Sequence, residues 1–159
     1  MSRLEDIKQL VREELNGMPD LSRRDKALEH LFGVSLAAGF IAERRGLNHE
    51  LPAIAGALHD IAAYMYGSYD DHAHKGAEYA RRMLEHAGLT NAEETDLICS
   101  MIYHHDDKHV IDSPLDEVLK DADVIHHCFA DLSKPVKEKE RLRFNALIQE
   151  FHLSTNPLE

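Results

Sequence analysis

Apolar positions recur at three- and four-residue spacings along nearly the whole chain, the period of helices with one buried face. Leu4, Ile7, Leu10, Val11 and Leu15 mark a first helix, which Asn16-Gly17 and Pro19 stop. A long second helix runs through Leu28, Leu31, Val34 and Ala38 to Gly46, with Ser22 placed to cap its start. Asn48 caps a third, from about 49 to 66, which carries Ile54, Leu58, Ile61 and Met65 on one face. Its Pro52 falls in the first turn, where proline is tolerated. A fourth spans Asp71 to Ala87 and ends at Gly88, and Thr90 with Glu93 has capping-box spacing ahead of Leu97, Ile98, Met101 and Ile102. Ser113-Pro114 opens a sixth with Leu115, Val118, Leu119, Ala122 and Ile125, and a last helix starts at Ser133 and passes through Leu142, Leu147 and Phe151. No stretch alternates as a strand would. The expected fold class is all-α, a single compact bundle of about seven helices forming one domain over residues 1–159.

Charge narrows the partners. The 159 residues hold 18 Lys and Arg against 29 Asp and Glu, a formal net charge of −11. That balance excludes a general binder of nucleic-acid duplexes, which needs a basic footprint to displace counterions. It still permits a local basic pocket for one small phosphorylated molecule. No apolar run approaches a membrane span, and the amphipathic start MSRLEDIKQLVREELNG has no signal-peptide core. Cys99 and Cys128 form no CxxC pair and read as buried thiols, so the expected setting is the reducing cytoplasm. The sequence leaves a homo-oligomer open.

Histidine changes the picture most, because the chain has 12 of them and no terminal tag. Histidine is the commonest neutral metal ligand and the side chain most easily switched near neutral pH. His30 shares a face with Val34 and Ala38 on the second helix, and His59-Asp60 directly follow Leu58 on the third. Asp123 lies one position after Ala122 on the sixth. Carboxylates beside apolar stripes are costly to bury without a partner, and a cation is a good one. Two imidazoles and two carboxylates from three helices form a mixed nitrogen and oxygen site, suited to Mn, Fe, Co, Ni, Zn or Mg. His72, His104 and His105 lie where they can hold a second ion, and two ions so placed can clamp a phosphoryl group. His74 points elsewhere on the helix from His72, and only a shift in register would exchange the two. His126 and His127 flank the Asp123 face as pocket or partner groups, whereas His49, His86, His109 and His152 read as exposed. The run KPVKEKERLR reads as a solvated helix face.

HLFGVSLAAGFIA around His30, AGALHDIAAY around His59-Asp60 and KDADVI around Asp123 together resemble the HD-domain superfamily of metal-dependent phosphohydrolases. The likeness covers about residues 25 to 130. It implies His30, His59, Asp60 and Asp123 as shared metal ligands, with Asp123 preferred to Asp121 within DAD. HAHKGA and IYHHDD resemble branches whose extra histidines, here His72, His104 and His105, hold a second metal. The chain departs from the HDIGK form of many relatives, having HDIAA, so phosphate charge falls to Lys75, Lys108 or Lys120. Position 63 is alanine, which excludes the HDxxE pattern of one nucleotidase branch, and no GYP follows His104-His105.

The resulting expectation is a metal-dependent phosphohydrolase using one or two divalent ions and an activated water on a phosphoester or phosphoanhydride. The resemblance implies a small nucleotide as substrate. Asp60 would orient the water, and His104 or His105 would protonate the leaving oxygen. A di-iron oxygenase of the same fold is the rival enzyme, and a non-catalytic metal- or ligand-sensing module the rival outside catalysis.

Overall fold

A computed structural model describes residues 2–154. Its helices in chain order are α1 (Arg3–Leu15), α2 (Leu21–Arg44), α3 (Glu50–Leu58), α4 (Ile61–Tyr66), α5 (His72–Ala87), α6 (Ala92–His104), α7 (Pro114–Ala130) and α8 (Arg141–Glu150). A single 3-10 turn, Glu138–Glu140, precedes α8. No strand occurs among the described residues. No described helix is long and apolar enough to cross a membrane.

The helix ends follow capping chemistry, with small shifts from the sequence reading. Asp20, not Ser22, caps α2, its carboxylate accepting from the Arg23 N–H. Asn91 and Glu94, one residue beyond Thr90 and Glu93, form the capping box of α6. Asn48 Oδ1 accepts from the N–H groups of Glu50 and Leu51, and Ser113 caps α7 ahead of Pro114. Ser133 does not start the last helix. Residues 131–137 are irregular, and α8 begins at Arg141.

The stretch read as one helix over 49–66 is divided. His59 keeps helical angles, but Asp60 has φ −108° and ψ 8°, and the chain restarts as α4 at Ile61. Gly67, in the left-handed region at φ 68°, closes α4. The break lies at the two residues expected to bind metal.

Helix α2 is the spine of the bundle, packed on α3 along one side and α7 along another. Leu31, Val34, Ala38 and Ile41 of α2 meet Ile54 and Leu58 of α3 and Leu119 and Ala122 of α7 in one core. Ile98, Met101 and Ile102 of α6 extend it, while Val124 and Cys128 of α7 pack with Phe144, Leu147 and Ile148 of α8 in a second, smaller cluster. The α2–α3 crossing is close. A Cβ added at Gly56 would stand 2.7 Å from the Ser35 nitrogen and 2.9 Å from the Val34 carbonyl carbon, both backbone atoms.

Those contacts decide the sign of a substitution. Gly56→Ala should lower stability by about 1–3 kcal/mol through forced separation of the two helices. That corresponds to a fall in Tm of roughly 2–12 °C at this chain length. Gly39→Ala, whose Cβ would meet Ala53 and the His49 carbonyl at an ordinary 3.6 Å, should instead be neutral or stabilising by up to about 1 kcal/mol. Melting curves of the pair check the assignment, and equal shifts in both would contradict it.

Candidate metal centre

The break after α3 sends His59 and Asp60 into the same cavity as side chains from α2, α5 and α7. His30 Nε2 of α2 lies 3.1 Å from His59 Nε2, 3.3 Å from Asp60 Oδ2 and 3.5 Å from Asp123 Oδ1. His59 Nε2 is 3.5 Å from Asp60 Oδ2 and 3.6 Å from Asp123 Oδ1. The four expected ligands therefore converge. Donors each about 2.1 Å from a shared ion stand roughly 3.0–3.4 Å apart in octahedral or tetrahedral geometry, close to these separations.

A second set meets the opposite oxygen of Asp60. His105 Nε2 is 3.3 Å and His72 Nε2 3.6 Å from Asp60 Oδ1. Asp60 thus stands between two groups of imidazoles, one on each carboxylate oxygen. His74 is exposed and pairs with Asp71 at 2.8 Å, so His72 is the inward residue of the two. His104 does not join the cluster. It turns about 100° from His105 around the end of α6, and its Nδ1 meets the Ser100 carbonyl at 2.9 Å and Asp116 at 3.5 Å.

Ring orientation fits ligation. The Nδ1 atoms of His59, His72 and His105 lie 2.8, 2.9 and 2.6 Å from the carbonyl oxygens of Gly56, Tyr69 and Ile102, each three residues earlier. A carbonyl only accepts, so these nitrogens carry the hydrogen and Nε2 presents a lone pair to the centre. His30 Nδ1 meets His126 Nδ1 at 3.0 Å, and Gly33 makes the room, since a Cβ there would lie 2.2 Å from the His126 ring. Asp60 Oδ1 and Asp123 Oδ1 are buried and receive no hydrogen bond. Imidazole lone pairs facing idle carboxylate oxygens are an arrangement that a cation stabilises.

The titration behaviour follows from the same geometry. Burial opposes ionisation of Asp60, but His59, His105 and His30 around it hold its carboxyl well below the usual range. Burial likewise opposes ionisation of Asp123, and Lys108, His59 and His127 overcome it. Burial would depress His59, yet the two carboxylates raise it. His105, with less compensation, is lowered by burial, and His126 is lowered to about 4 by burial and by its histidine neighbours.

A polar pocket of about 410 Å³ opens over the cluster. Tyr64, Tyr69, Asp106, Lys137 and Lys139 complete its walls. The three lysines expected to meet phosphate lie elsewhere. Lys108 is buried, its ammonium donating to Asp123 Oδ2 at 2.7 Å and to the His105 carbonyl at 2.6 Å. Lys120 is fully buried against Asp112 and the Val110 carbonyl, and Lys75 donates to the Asp70 carbonyl. Asp121, the alternative within DAD, pairs with Arg45 and Arg143 instead of facing the centre. Lys137, Lys139 and the buried Glu140 all come from the charged run read as a solvated face. Val136, just ahead of them, is a hydrophobic residue within the charged run and a sequence hint of a return to the core.

No curated protein matches the chain. Its fold is similar to that in the crystal structure of a predicted HD superfamily hydrolase from an uncultured Thermotogales bacterium, at TM-score 0.61 and 24% identity over 93% of this chain and 88% of that one. Residues 27–127, from the start of the His30 face of α2 to the end of the Asp123 face of α7, match the HD domain family. With His30, the His59-Asp60 pair and Asp123 gathered at one cavity, the chain belongs to the HD domain family.

Proposed function

We propose that the protein is a phosphohydrolase that uses one or two divalent metal ions to cleave a phosphoester or phosphoanhydride in a small molecule, a nucleotide being the first class to test. The observation that carries this reading is the pair of idle, buried carboxylate oxygens on Asp60 and Asp123, each facing imidazole Nε2 atoms at the base of an open polar pocket. His30, His59, Asp60 and Asp123 would hold the first ion; His72 and His105 would hold a second with Asp60 between them. An ion bound there supplies Lewis acidity toward a phosphoryl oxygen and lowers the pKa of a coordinated water.

The chain's own residues supply the rest. Lys137 and Lys139 put positive charge on the pocket wall, where a phosphate group needs it, although Lys139 is engaged with Asp106 at 2.8 Å. Lys108 occupies one oxygen of Asp123 and leaves the other directed at the imidazoles. His105 is 1% exposed with Nε2 on Asp60, which suits a ligand better than a donor to a leaving group. The pocket volume suits one small substrate.

The richness in imidazole also favours a second reading. Histidine-rich sets suit Fe, Mn, Co, Ni or Zn over Mg, so iron-dependent oxygen consumption with an organic substrate, in place of phosphate release, would identify an oxygenase.

Two measurements test the centre. Asp60→Asn should keep the helical circular dichroism of the wild type and lose at least about 100-fold in metal-dependent phosphate release, because one oxygen can no longer serve each ligand set. Wild-type turnover in that variant would sink the mechanism. Chelation of the metal-loaded protein should lower Tm by roughly 5–10 °C, equivalent to losing about 2.7 kcal/mol of ligand stabilisation at a hundredfold excess over Kd. Unchanged melting would contradict a site shared among helices.

Metal analysis separates the adjacent histidines at the end of α6. His104→Ala should retain the wild-type metal content, whereas His105→Ala should lose about one ion per chain where the wild type holds two. Loss of metal from the His104 variant would show that the second set is built differently.

A further inference from the structure

His59, His72 and His105 share one plan, with Nδ1 held by a fixed acceptor and Nε2 turned to the centre. His127, one turn after Asp123 on α7, follows it with a different partner. Its Nδ1 lies 2.7 Å from Glu140 Oε1. A carboxylate oxygen accepts, so that nitrogen carries the hydrogen and Nε2 offers its lone pair. This Nε2 is 3.4 Å from Asp123 Oδ1, and the ring stacks on His30 at a centroid distance of 5.2 Å and an angle of 8°. His30, Asp123 and His127 present potential ligand atoms within 4.8 Å of one another.

Glu140 is the costly part of the arrangement. It is 1% exposed, and its Oε2 is buried without a hydrogen-bond partner. The irregular residues 131–137 and the 3-10 turn that follows return the chain toward α7, where Glu140 meets His127. A buried carboxylate whose main bond is to one imidazole nitrogen does little for stability that an apolar residue would not do better. It does fix the tautomer, aim and basicity of that imidazole, the role carboxylates play beside metal-bound histidine.

We propose that His127 is a further ligand of the ion held by His30, His59, Asp60 and Asp123, and that Glu140 is its positioning residue. The assignment rests on the metal-centre reading above and adds to it a fifth donor and a carboxylate–histidine–metal chain. Glu140 touches neither ion nor substrate; it acts through His127. Its neighbour Lys139, paired with Asp106 across the pocket, holds the same segment at a second point.

The test is Co2+ binding by the full chain, stripped of metal and titrated in competition with a fluorescent chelator. His127→Gln and Glu140→Ala should weaken the tighter Co2+ site by about 10–100-fold, the usual cost of losing a supporting partner at a metal site. Glu140→Gln, which keeps an accepting oxygen, should recover part of that loss. The visible absorption of bound Co2+ should change in His127→Gln, a signature that a merely structural role for Glu140 and His127 would not move. Melting of the metal-free forms identifies folded variants; if Glu140→Ala does not fold, the two glutamine variants decide. Wild-type affinity and an unchanged Co2+ spectrum in folded His127→Gln would overturn the proposal and leave the four-ligand centre standing. A wild-type chain that binds no Co2+ would overturn both.

Discussion

Asp60 and Asp123 are held almost out of water, 5% and 4% exposed, beside the large apolar core of the bundle. Two such charges are tolerable only where positive or polarised groups surround them. The helices are arranged to supply those groups: α2 brings His30, α3 His59, α5 His72, the end of α6 His105 and the following loop Lys108. The close α2–α3 crossing at Gly56 belongs to the same constraint, because it sets the separation of His30 and His59. Gly76 acts likewise on the other side. A Cβ there would lie 2.7 Å from the His59 carbonyl oxygen, so α5 carries His72 close to the break only because that position is glycine.

The interruption between α3 and α4 is what turns a helical pair into a site. On a continuous helix His59 and Asp60 would diverge by about 100° and share an ion only along one edge. With Asp60 out of helical geometry, its carboxylate sits between two imidazole sets, one oxygen toward each. No side chain caps the start of α4. The local backbone departs from regular helix in favour of the site, as functional positions often do.

Much of this was legible in the sequence. The apolar stripes and glycine stops placed most helices, and the same stripes identified His30, His59, Asp60 and Asp123 as polar groups on buried faces. Helical rotation separated His72 from His74 but did not choose between them; the choice comes from the structure, where His72 faces Asp60 and His74 pairs with Asp71. Other features were illegible for physical reasons. Periodicity continues unbroken through Leu58, Ile61 and Met65, so nothing in it announces a break. His104 and His105 both follow the apolar face at the end of α6, and only the way that helix end packs on its neighbours decides which turns inward. Glu140 sits among lysines, arginines and glutamates, where a solvated helix is the cheapest reading; its burial depends on the irregular segment before it.

The lysines show most clearly how tertiary structure redistributes charge. The sequence offered Lys108 and Lys120 as cations for a phosphate, yet both are spent on the loop that joins α6 to α7. Lys108 binds the His105 carbonyl, Lys120 the Val110 carbonyl, and Arg143 from α8 the carbonyls of Lys108 and Val110. Backbone carbonyls in a short connection need donors, and here three long cationic side chains provide them from beneath. The same loop carries Asp106, so fixing it also fixes the wall of the pocket that faces Lys139. Charge that could have met a substrate directly is used to hold the frame, and the cations that do line the pocket, Lys137 and Lys139, come from the segment before α8. A chain with a net charge of −11 can still receive an anion there, because attraction at a pocket is set by the nearest few charges within a Debye length of roughly 8 Å, not by the total.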